Sequence, residues 1–448
     1  MLSYDEVRRT TEALADPLTP EDCMIQSMPD VSPTKWHLAH TTWFFETFVL
    51  ARAISGYDPF HPQYRYLYNS YYNTVGEQYP RPRRGLLSRP SLDEVKAYRE
   101  HVDRKMRGLG AQREVGEDSL GRIIELGLHH EQQHQELLLT DIKHVFGCNP
   151  LHPVYAPAVP GGGTPSEPME WFRYDEGLHQ AGHEGASFAY DNETPRHRVY
   201  LRAFELASRP VTNGEFLQFI RDGGYRDPRL WLSDGWAFLH EHEIRAPLYW
   251  EERDGVWYHH TLNGYREIDP DEPVCHISYY EADAYAAWVG ARLPAEAEWE
   301  LAAAAIPQRG NLLESKAFHP SSGAKILGEA EPVATAALAG GALEEGRRRD
   351  DHAPAGAQST TVVEPDGPRQ LFGDVWEWTR SPYTPYPGYR APGGAIGEYN
   401  GKFMSGQMVL RGGSCVTPAT HIRATYRNFF PPDARWQFSG LRLARDPS

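Results

Sequence analysis

The sequence is poor in cysteine, has no long apolar run and holds fewer basic than acidic residues. Its cysteines are too far apart to form a CxxC pair, so we expect neither a disulfide framework nor a cysteine-bound zinc ion. No segment approaches the ~20 apolar residues that a membrane-spanning helix requires, and the first residues contain no apolar signal core. We therefore predict a cytoplasmic protein that does not insert into a membrane. The four cysteines, expected to be reduced, are Cys23, Cys148, Cys275 and Cys415.

The charge balance disfavours one large class of partners. Lys and Arg together number 45 against 61 Asp and Glu, which gives a formal net charge of -16. Because proteins bind DNA or RNA through an excess of positive charge, we expect no nucleic-acid partner. With 40% hydrophobic and 24% charged residues over 448 positions, the chain is long enough for two folded domains, and its expected partners are small molecules.

A change in composition divides the chain into two parts. Residues 1–148 carry helical patterns, and residues 149–168 hold prolines and a glycine triplet at a density typical of a linker. Four helices are predicted before the linker, and their lengths indicate an antiparallel bundle. They run from Tyr4 to Ala15, from an N-cap at Ser32 to about Ile54, from a capping box at Ser91 and Glu94 to about Gly108, and from about Asp118 to Gly147.

Residues 169–448 mix strand-like and helical segments without a repeat. HRVYLRAFELA and MVLRGGS are typical of strands, whereas YEADAYAAWVG and PAEAEWELAAAA are typical of short helices. Residues from about 307 to 370 are rich in Gly, Ala and charge, which predicts a surface excursion. Together the two parts predict an α+β protein, in which a four-helix bundle precedes a mixed α/β domain.

Two histidines on the last predicted helix carry the clearest chemical signal. In HHEQQHQELL, His130 and His134 lie four residues apart, so both imidazoles project from one face of the helix and can bind one metal ion. The same letters fit the H-E-x-x-H pattern, which indicates a zinc metallohydrolase with Glu131 as its base. The third ligand of a metzincin is missing, because Leu137 and Thr140 occupy the required glycine and histidine positions. This weakens the protease hypothesis and leaves it open.

A third ligand is available on the second predicted helix. The segment SPTKWHLAHTTWFFETF places His40 close to Trp36 and Trp43, which indicates that His40 faces the bundle interior. An antiparallel bundle can bring it to the turn that carries His130 and His134. Three imidazoles leave positions open on an octahedral ion, and imidazole suits iron as well as zinc.

These motifs resemble those of a known enzyme family. WHLAH and HHEQQHQELLLTDIKH on the two helices, with NSYYN and YPRPRRG in the loop after the second helix, are similar to segments of the EgtB-type sulfoxide synthases of ergothioneine biosynthesis. DNETPRHRVYLRAFELASRPVTNGEF, GDVWEWT and LRGGSC resemble the formylglycine-generating, or sulfatase-modifying, type of domain. The resemblance implies a DinB-like bundle over residues 1–148 and a C-type-lectin-like domain over residues 169–448.

The resemblance implies a non-haem iron enzyme that forms the C–S bond between hercynine and a thiol, with O2 as the oxidant. By that similarity His40, His130 and His134 bind Fe(II), which leaves room for both substrates and oxygen on the metal. Gln133, which precedes the second ligand of this helix, matches the glutamine that contacts the substrate imidazole in relatives.

The loop between the second and third helices carries two further groups of matching residues. Tyr72, with Tyr71 beside it, matches the tyrosine pair of the cysteine-using branch and is the expected proton donor during oxygen reduction. Arg81 and Arg84 have the spacing of the arginines that bind the carboxylate of the thiol in relatives. The resemblance therefore predicts that the thiol binds beside this loop.

The segment YRNFFPPDARW near the C terminus supplies the remaining matches. Asn428 and Phe429 stand where relatives carry an Asn and an aromatic residue that contact the substrate, and Phe430 follows them. Relatives that use γ-glutamylcysteine have an acidic residue at the position of Phe430, so this departure favours cysteine as the sulfur donor over γ-glutamylcysteine. Formylglycine-generating activity is not expected, because it needs two nearby cysteines and Cys415 has none near it in sequence.

Alternatives remain open within this chemistry and outside it. A selenoneine-type synthase would differ in the donor, and an ovothiol-type synthase in the acceptor carbon. Ovothiol enzymes usually carry an added methyltransferase domain, for which we expect no room in this sequence. The alternatives from other classes are a zinc metallohydrolase built on H-E-x-x-H and a non-catalytic ligand-binding protein.

Overall fold

The computed structural model describes residues 2–110, 119–158, 165–322 and 367–447. The middle of the predicted linker, residues 159–164, and most of the predicted surface excursion, residues 323–366, lie outside the described residues. Within the described ranges, none of the helices is both long and apolar enough to cross a membrane.

The N-terminal part is helical, as the sequence predicts. Its α-helices are α1 (Tyr4–Ala15), α2 (Thr34–Phe45), α3 (Ala51–Ala53), α4 (Tyr64–Leu67), α5 (Leu92–Gly110) and α6 (Ser119–Gly147). A π-helical turn over Glu46–Leu50 joins α2 to α3, so the second predicted helix continues as one helical segment. The four long segments pack as a bundle in which α2 contacts α5 and α6, and α1 contacts α6.

Of the two predicted helix caps, the structure confirms one and contradicts the other. The capping box before α5 is confirmed, because the Glu94 N–H donates to Ser91 Oγ and the Ser91 N–H donates to the Glu94 carboxylate. The prediction of Ser32 as N-cap of α2 is wrong, since the helix begins at Thr34 and no side chain caps it. The Ser32 Oγ accepts instead from Arg84 Nη1 at 2.9 Å, and the Ser32 N–H donates to Asp141 Oδ2 of α6 at 2.8 Å. Long-range contacts therefore occupy the side chain that was predicted to cap the helix.

A buried ion cluster connects three helices of the bundle. Glu131 of α6 accepts from Arg8 Nη1 of α1 at 2.8 Å and from Arg99 Nη2 of α5 at 3.0 Å, and all three side chains are buried. Arg8 Nε donates in addition to Asp103 at 2.8 Å. Burial alone raises the pKa of Glu131, but the two guanidinium groups outweigh burial and hold the pKa at about 2. Glu131 is therefore a carboxylate clamped on both oxygens.

The C-terminal part combines short helices with small sheets and confirms the α+β class. The helices are α7 (Asn213–Arg221), α8 (Ser233–Glu241), α9 (Tyr279–Trp288) and α10 (Glu296–Ala303). The strands are β1 (Trp171–Tyr174), β2 (Gly177–Ala181), β3 (His197–Leu201), β4 (Phe204–Ala207), β5 (Trp250–Arg253), β6 (Val256–Thr261), β7 (Gly264–Glu267), β8 (Trp376–Pro382), β9 (Met408–Arg411), β10 (Asn428–Phe430), β11 (Ser439–Gly440) and β12 (Ala444–Arg445). The described strands pair in the orders β1-β4-β12, β10-β9-β8-β11, β2-β3 and β5-β6-β7.

Helix α6 of the bundle also contacts the C-terminal part. Its Glu136 is half-buried and accepts hydrogen bonds from Trp376 Nε1 at 2.5 Å, Ser414 Oγ at 3.0 Å and Thr417 Oγ1 at 2.7 Å. Burial raises the pKa of Glu136, and the three donors oppose this effect. The two parts of the chain thus meet at a polar, hydrogen-bonded seam along α6.

The ion cluster leads to a prediction for stability. Replacing Glu131 by Gln removes the buried carboxylate that Arg8 and Arg99 share, so we expect the free energy of unfolding to fall by about 3–5 kcal/mol. Equilibrium denaturation in urea at neutral pH measures the change. Because the pKa of Glu131 is lowered from 4.5 to about 2 on folding, its contribution is complete above the unfolded value. The difference between wild type and variant should therefore shrink as the pH falls from about 4.5 to about 2.

The matched control is Glu100→Gln, which removes an exposed carboxylate paired with Arg104 on the surface of α5. This variant should unfold with little or no change in free energy. Equal effects of the two substitutions would contradict the anchoring role of Glu131.

Candidate metal centre and substrate pocket

The structure brings the three predicted metal ligands together. His40 of α2 and His130 and His134 of α6 are buried, and one nitrogen from each lies within 4.8 Å of the others. His40 Nε2 and His130 Nε2 are 3.2 Å apart. This spacing fits three imidazoles around one ion, since metal–nitrogen bonds of about 2.0–2.1 Å separate neighbouring ligand atoms by roughly 3 Å.

The surroundings of His40 determine which of its nitrogens can bind a metal. Its Nδ1 lies 2.6 Å from the carbonyl oxygen of Tyr68, and because a carbonyl only accepts, Nδ1 carries the proton. Nε2 therefore offers its lone pair toward His130. The ring is stacked between Trp36 at 4.5 Å and Trp43 at 5.6 Å, which restricts its rotation. The inward orientation predicted from the aromatic neighbours is confirmed.

His134 is oriented by a second histidine and a carboxylate. His134 Nδ1 lies 2.8 Å from His37 Nδ1, and His37 Nε2 lies 3.0 Å from Asp141 Oδ2. Since the carboxylate accepts, His37 carries its proton on Nε2, accepts from His134 on Nδ1 and leaves His134 Nε2 free for a metal. The sequence alone assigns no role to His37, because its partners His134 and Asp141 lie on another helix.

Burial keeps the three ligands in the neutral form that a metal requires. It lowers the pKa of His130 to about 3 and the pKa of His40 and His134 well below the usual value. His130 Nδ1 is buried without a hydrogen-bond partner, although its Nε2 faces the other two rings. A set of neutral nitrogen donors aimed at one point fits a borderline divalent ion such as iron(II) or zinc.

Glu131 cannot serve as the base of a zinc hydrolase in this arrangement. Its two carboxylate oxygens are held by Arg8 and Arg99, and its side chain is fully buried. A general base must reach the proton that it removes and have a pKa near the working pH. The H-E-x-x-H letters are present, but the carboxylate is an anchor of the bundle.

Gln133 faces the C-terminal part from the same helix. Its Nε2 donates to the Tyr426 hydroxyl at 3.4 Å, and its Oε1 accepts from the Tyr399 hydroxyl. The Tyr399 ring packs edge-on against His130, with 5.5 Å between ring centroids. The pocket beside the histidines is thus closed by tyrosines. The sequence alone assigns no role to Tyr399 or Tyr426, since neither belongs to a motif with its own spacing.

Tyr71 and Tyr72 lie on the bundle side of this pocket. Their rings are 4.7 Å apart, and Tyr71 lies 6.0 Å from Tyr399. Tyr72 is fully buried against Trp43 and Phe48, and burial holds the pKa of its hydroxyl well above the usual value. The pair therefore reaches the histidines through Trp43 and Tyr399 and not by direct stacking.

The two predicted arginines differ in their surroundings. Arg84 is buried, with its guanidinium 3.4 Å from the centroid of Trp36 and hydrogen bonds to Ser32 Oγ and Ser70 Oγ. Within the described residues no carboxylate forms an ion pair with it, and its Nε has no partner. Arg81 is exposed and donates to the carbonyl of Asp30. Arg84 is thus a buried cation beside the histidine-bearing helix α2, and it forms no ion pair within the described residues.

Asn428, Phe429 and Phe430, the predicted substrate contacts, lie further from the histidines. They make up β10, and Phe429 stacks on Tyr383 at 4.0 Å and lies 6.0 Å from Phe403. Phe403 in turn packs against Tyr71 at 5.4 Å. In the described structure none of these three side chains stacks on the metal-site histidines; Phe429 is connected to the Tyr71 side of the site through Phe403.

Comparison with known proteins matches both parts of the chain. The DinB superfamily model matches residues 3–138, and the Sulfatase-modifying factor enzyme 1-like domain matches residues 169–447. Hercynine oxygenase of Mycolicibacterium thermoresistibile is 35% identical over 430 residues, which are 93% of this chain and 88% of that protein. The chain belongs to the hercynine oxygenase family. The relative from Mycobacterium tuberculosis is 34% identical over 93% of this chain and 92% of its own length.

The similarity to hercynine oxygenases covers more of the chain than the similarity to formylglycine-generating enzymes. Formylglycine-generating enzyme of Bos taurus is 27% identical over 65% of this chain and 78% of that protein. In this hercynine oxygenase family member, the histidine triad lies in the part that matches the DinB superfamily, and the tyrosines that close the pocket lie in the sulfatase-modifying part.

The orientation of His134 leads to a prediction for metal affinity. Replacing His37 by Leu removes the acceptor that fixes the His134 tautomer, so we expect Fe(II) to bind 10–100-fold more weakly, roughly the effect of losing such an outer partner. Anaerobic titration with Fe(II) measures the affinity, and calorimetry checks that the variant is folded. His61→Leu, on an exposed loop, is the control and should leave the affinity unchanged. Wild-type affinity in a folded His37→Leu protein would rule out the orienting role.

Proposed function

We propose that this chain is a non-haem Fe(II)- and O2-dependent sulfoxide synthase that joins hercynine to a thiol in ergothioneine biosynthesis. The observation that carries the proposal is the buried triad of neutral imidazoles beside Gln133, in a chain related to hercynine oxygenases over most of its length. The reaction balances as hercynine plus thiol plus O2 to sulfoxide plus water, with the C–H and S–H hydrogens leaving in the water.

His40, His130 and His134 are the residues that would hold the iron. Bound there, Fe(II) supplies the redox chemistry by which dioxygen and the two substrates react at adjacent positions. The protein's part is to fix the three nitrogens. Trp36 and Trp43 hold the His40 ring, and the contact between His37 and His134 holds the tautomer that leaves Nε2 free. Such rigid placement supplies a large share of the rate when reactants must meet in one geometry.

Gln133 is the proposed contact for the imidazole of hercynine. Its amide is placed between two tyrosine hydroxyls, which fixes the direction of the side chain. An amide oriented in this way can accept from or donate to a ring nitrogen of the substrate. Asn428 and Phe429, further from the histidines, are the proposed neighbours of the trimethylammonium end, since a quaternary cation is attracted to aromatic faces.

Arg84 is the proposed binding residue for the carboxylate of the thiol. A buried guanidinium without an anionic partner is costly, so a substrate carboxylate that pairs with it gains more binding energy than at an exposed site. Arg81, exposed on the same segment, is the second proposed contact. Phe430 offers no charge to a longer, γ-glutamyl donor, which supports cysteine as the thiol.

Tyr72 is the proposed proton donor, with Tyr71 beside it. The high pKa that burial gives Tyr72 keeps its proton in place until a base appears in the pocket. Tyr399 is the second candidate, because it packs directly against His130 and its hydroxyl already donates to Gln133. The two tyrosines approach the site from opposite parts of the chain.

The product of the reaction is the decisive test of this function. The Fe(II)-loaded protein should consume O2 only when hercynine and a thiol are both present, and mass spectrometry should find the hercynine–cysteine sulfoxide. Parallel incubations with γ-glutamylcysteine and with a selenosugar determine the donor, and a seleno-product would assign the selenoneine reaction instead. Absence of O2 uptake with every donor would favour a ligand-binding protein.

The same assay assigns the proton donor. Without that proton the thiol is oxygenated instead of coupled, so the donor's Tyr→Phe variant should convert cysteine to its sulfinic acid and lose the sulfoxide. We expect this change in Tyr72→Phe. The same change in Tyr399→Phe alone would transfer the role to the C-terminal part, and unchanged products in both would contradict tyrosine as the donor.

The role of Arg84 leads to a separate kinetic prediction. In Arg84→Leu the KM for cysteine should rise by about 10–100-fold, because a charge-assisted contact of about 1.5–3 kcal/mol is lost. The KM for hercynine should change little. Arg83→Leu, an exposed neighbour on the same segment, is the matched control and should keep both KM values. Equal KM increases for both substrates would show that Arg84 supports the fold and not the thiol.

A further inference from the structure

We propose that His259, Glu272 and His319 form a second metal site, which holds a zinc-type divalent cation in a structural role. The three residues belong to the C-terminal part and are separate from the histidine triad of the bundle. The inference does not depend on the proposed reaction.

Three distant segments of the chain converge at this cluster. His259 lies in β6, Glu272 follows β7, and His319 lies in the loop after a 3-10 turn at Leu313–Ser315. Their exposed fractions are 5%, 9% and 7%, and one ligand atom from each lies within 4.8 Å of the others. Because the three residues come from distant segments, a bound ion would connect those segments.

The distances within the cluster fit a metal. His319 Nε2 lies 3.2 Å from Glu272 Oε2, and the His259 and His319 rings meet edge to face with centroids 5.0 Å apart. Tetrahedral zinc with bonds of about 2.0–2.1 Å separates its ligand atoms by roughly 3.3 Å. The separation of His40 Nε2 and His130 Nε2 in the first site is also 3.2 Å.

An unpartnered nitrogen points to a missing ligand. His259 Nε2 is buried and has no hydrogen-bond partner in the described structure, a condition that costs free energy unless something satisfies it. A cavity of about 10 Å³ adjoins the cluster and is lined by both histidines, Asn213 and Tyr249. This is room for one water molecule as a fourth ligand.

The donor atoms of the cluster and their neighbours indicate which class of cation it could bind. Arg266 Nη2 donates to both oxygens of Glu272, at 2.7 and 2.8 Å. An ionised carboxylate has about four lone-pair sites, so further lone pairs remain available for a metal. Lys143, whose pKa burial lowers to about 8, lies nearby with its ammonium against His276. The two nitrogen donors and the single carboxylate disfavour Ca²⁺ or Mg²⁺, which need many oxygen ligands, and favour zinc or a similar borderline ion.

Metal content of full-length variants tests the proposal. The sample that decides is His130→Ala/His134→Ala, which removes the first site and leaves every residue of the second site native. After incubation with zinc and dialysis, elemental analysis should find one zinc ion per chain in this variant and two in the wild type. No retained zinc in the variant would overturn the proposal.

Further substitutions locate the ion. Adding His259→Ala and His319→Ala to the first pair should reduce the zinc content from one to none, whereas adding His183→Ala, in the same domain but outside the cluster, should leave one. Zinc that survives the loss of His259 and His319 would place the ion elsewhere and refute the site. If the fourfold variant does not fold, cobalt(II) in the His130→Ala/His134→Ala protein should give the intense visible spectrum of a four-coordinate site. An octahedral spectrum would contradict the assignment.

Discussion

The clamp on Glu131 by Arg8 and Arg99 determines how α6 is rotated, and the chemistry of the protein depends on that rotation. Successive residues of a helix are about 100° apart. Once Glu131 faces α1 and α5, the directions of the other side chains of α6 are therefore fixed as well, and they divide the helix surface into three faces. His130 and His134 then face α2 and meet His40. The third face is directed toward the C-terminal part through Gln133 and Glu136, which contact tyrosines, Trp376 and two hydroxyls.

The three faces of α6 explain why the histidine site lies at the interface between the bundle and the C-terminal part. A bundle alone offers three imidazoles but no wall for the substrates, whereas the C-terminal part offers tyrosines and aromatic rings but lacks these ligands. The seam is polar, and its buried hydrogen bonds are directional, so they fix the position of Tyr399 relative to His130 more sharply than apolar packing would. Arg84 is buried against Trp36 and forms no ion pair within the described residues, which fits its proposed role in binding an anionic substrate.

Local patterns predicted much of this arrangement, and long-range contacts account for the rest. The bounds of α1, the capping box at Ser91 and the paired spacing of His130 and His134 depend on neighbours within one or two helical turns, and they were predictable. The Ser32 cap failed because Arg84, 52 positions away, donates to the side-chain oxygen that would have capped the helix. The pairing of His37 with Asp141, the placement of Tyr399 and the convergence at His319 likewise depend on contacts that no short pattern encodes.

The most direct test of the account is the position of iron in the crystal. Crystals of the protein grown without oxygen and loaded with Fe(II) and hercynine should show anomalous scattering at the iron edge from one point within bonding distance of His40, His130 and His134. The hercynine imidazole should lie beside Gln133. Iron at His259 and His319 instead, or no iron at the triad, would contradict the claim that α6 carries the catalytic metal.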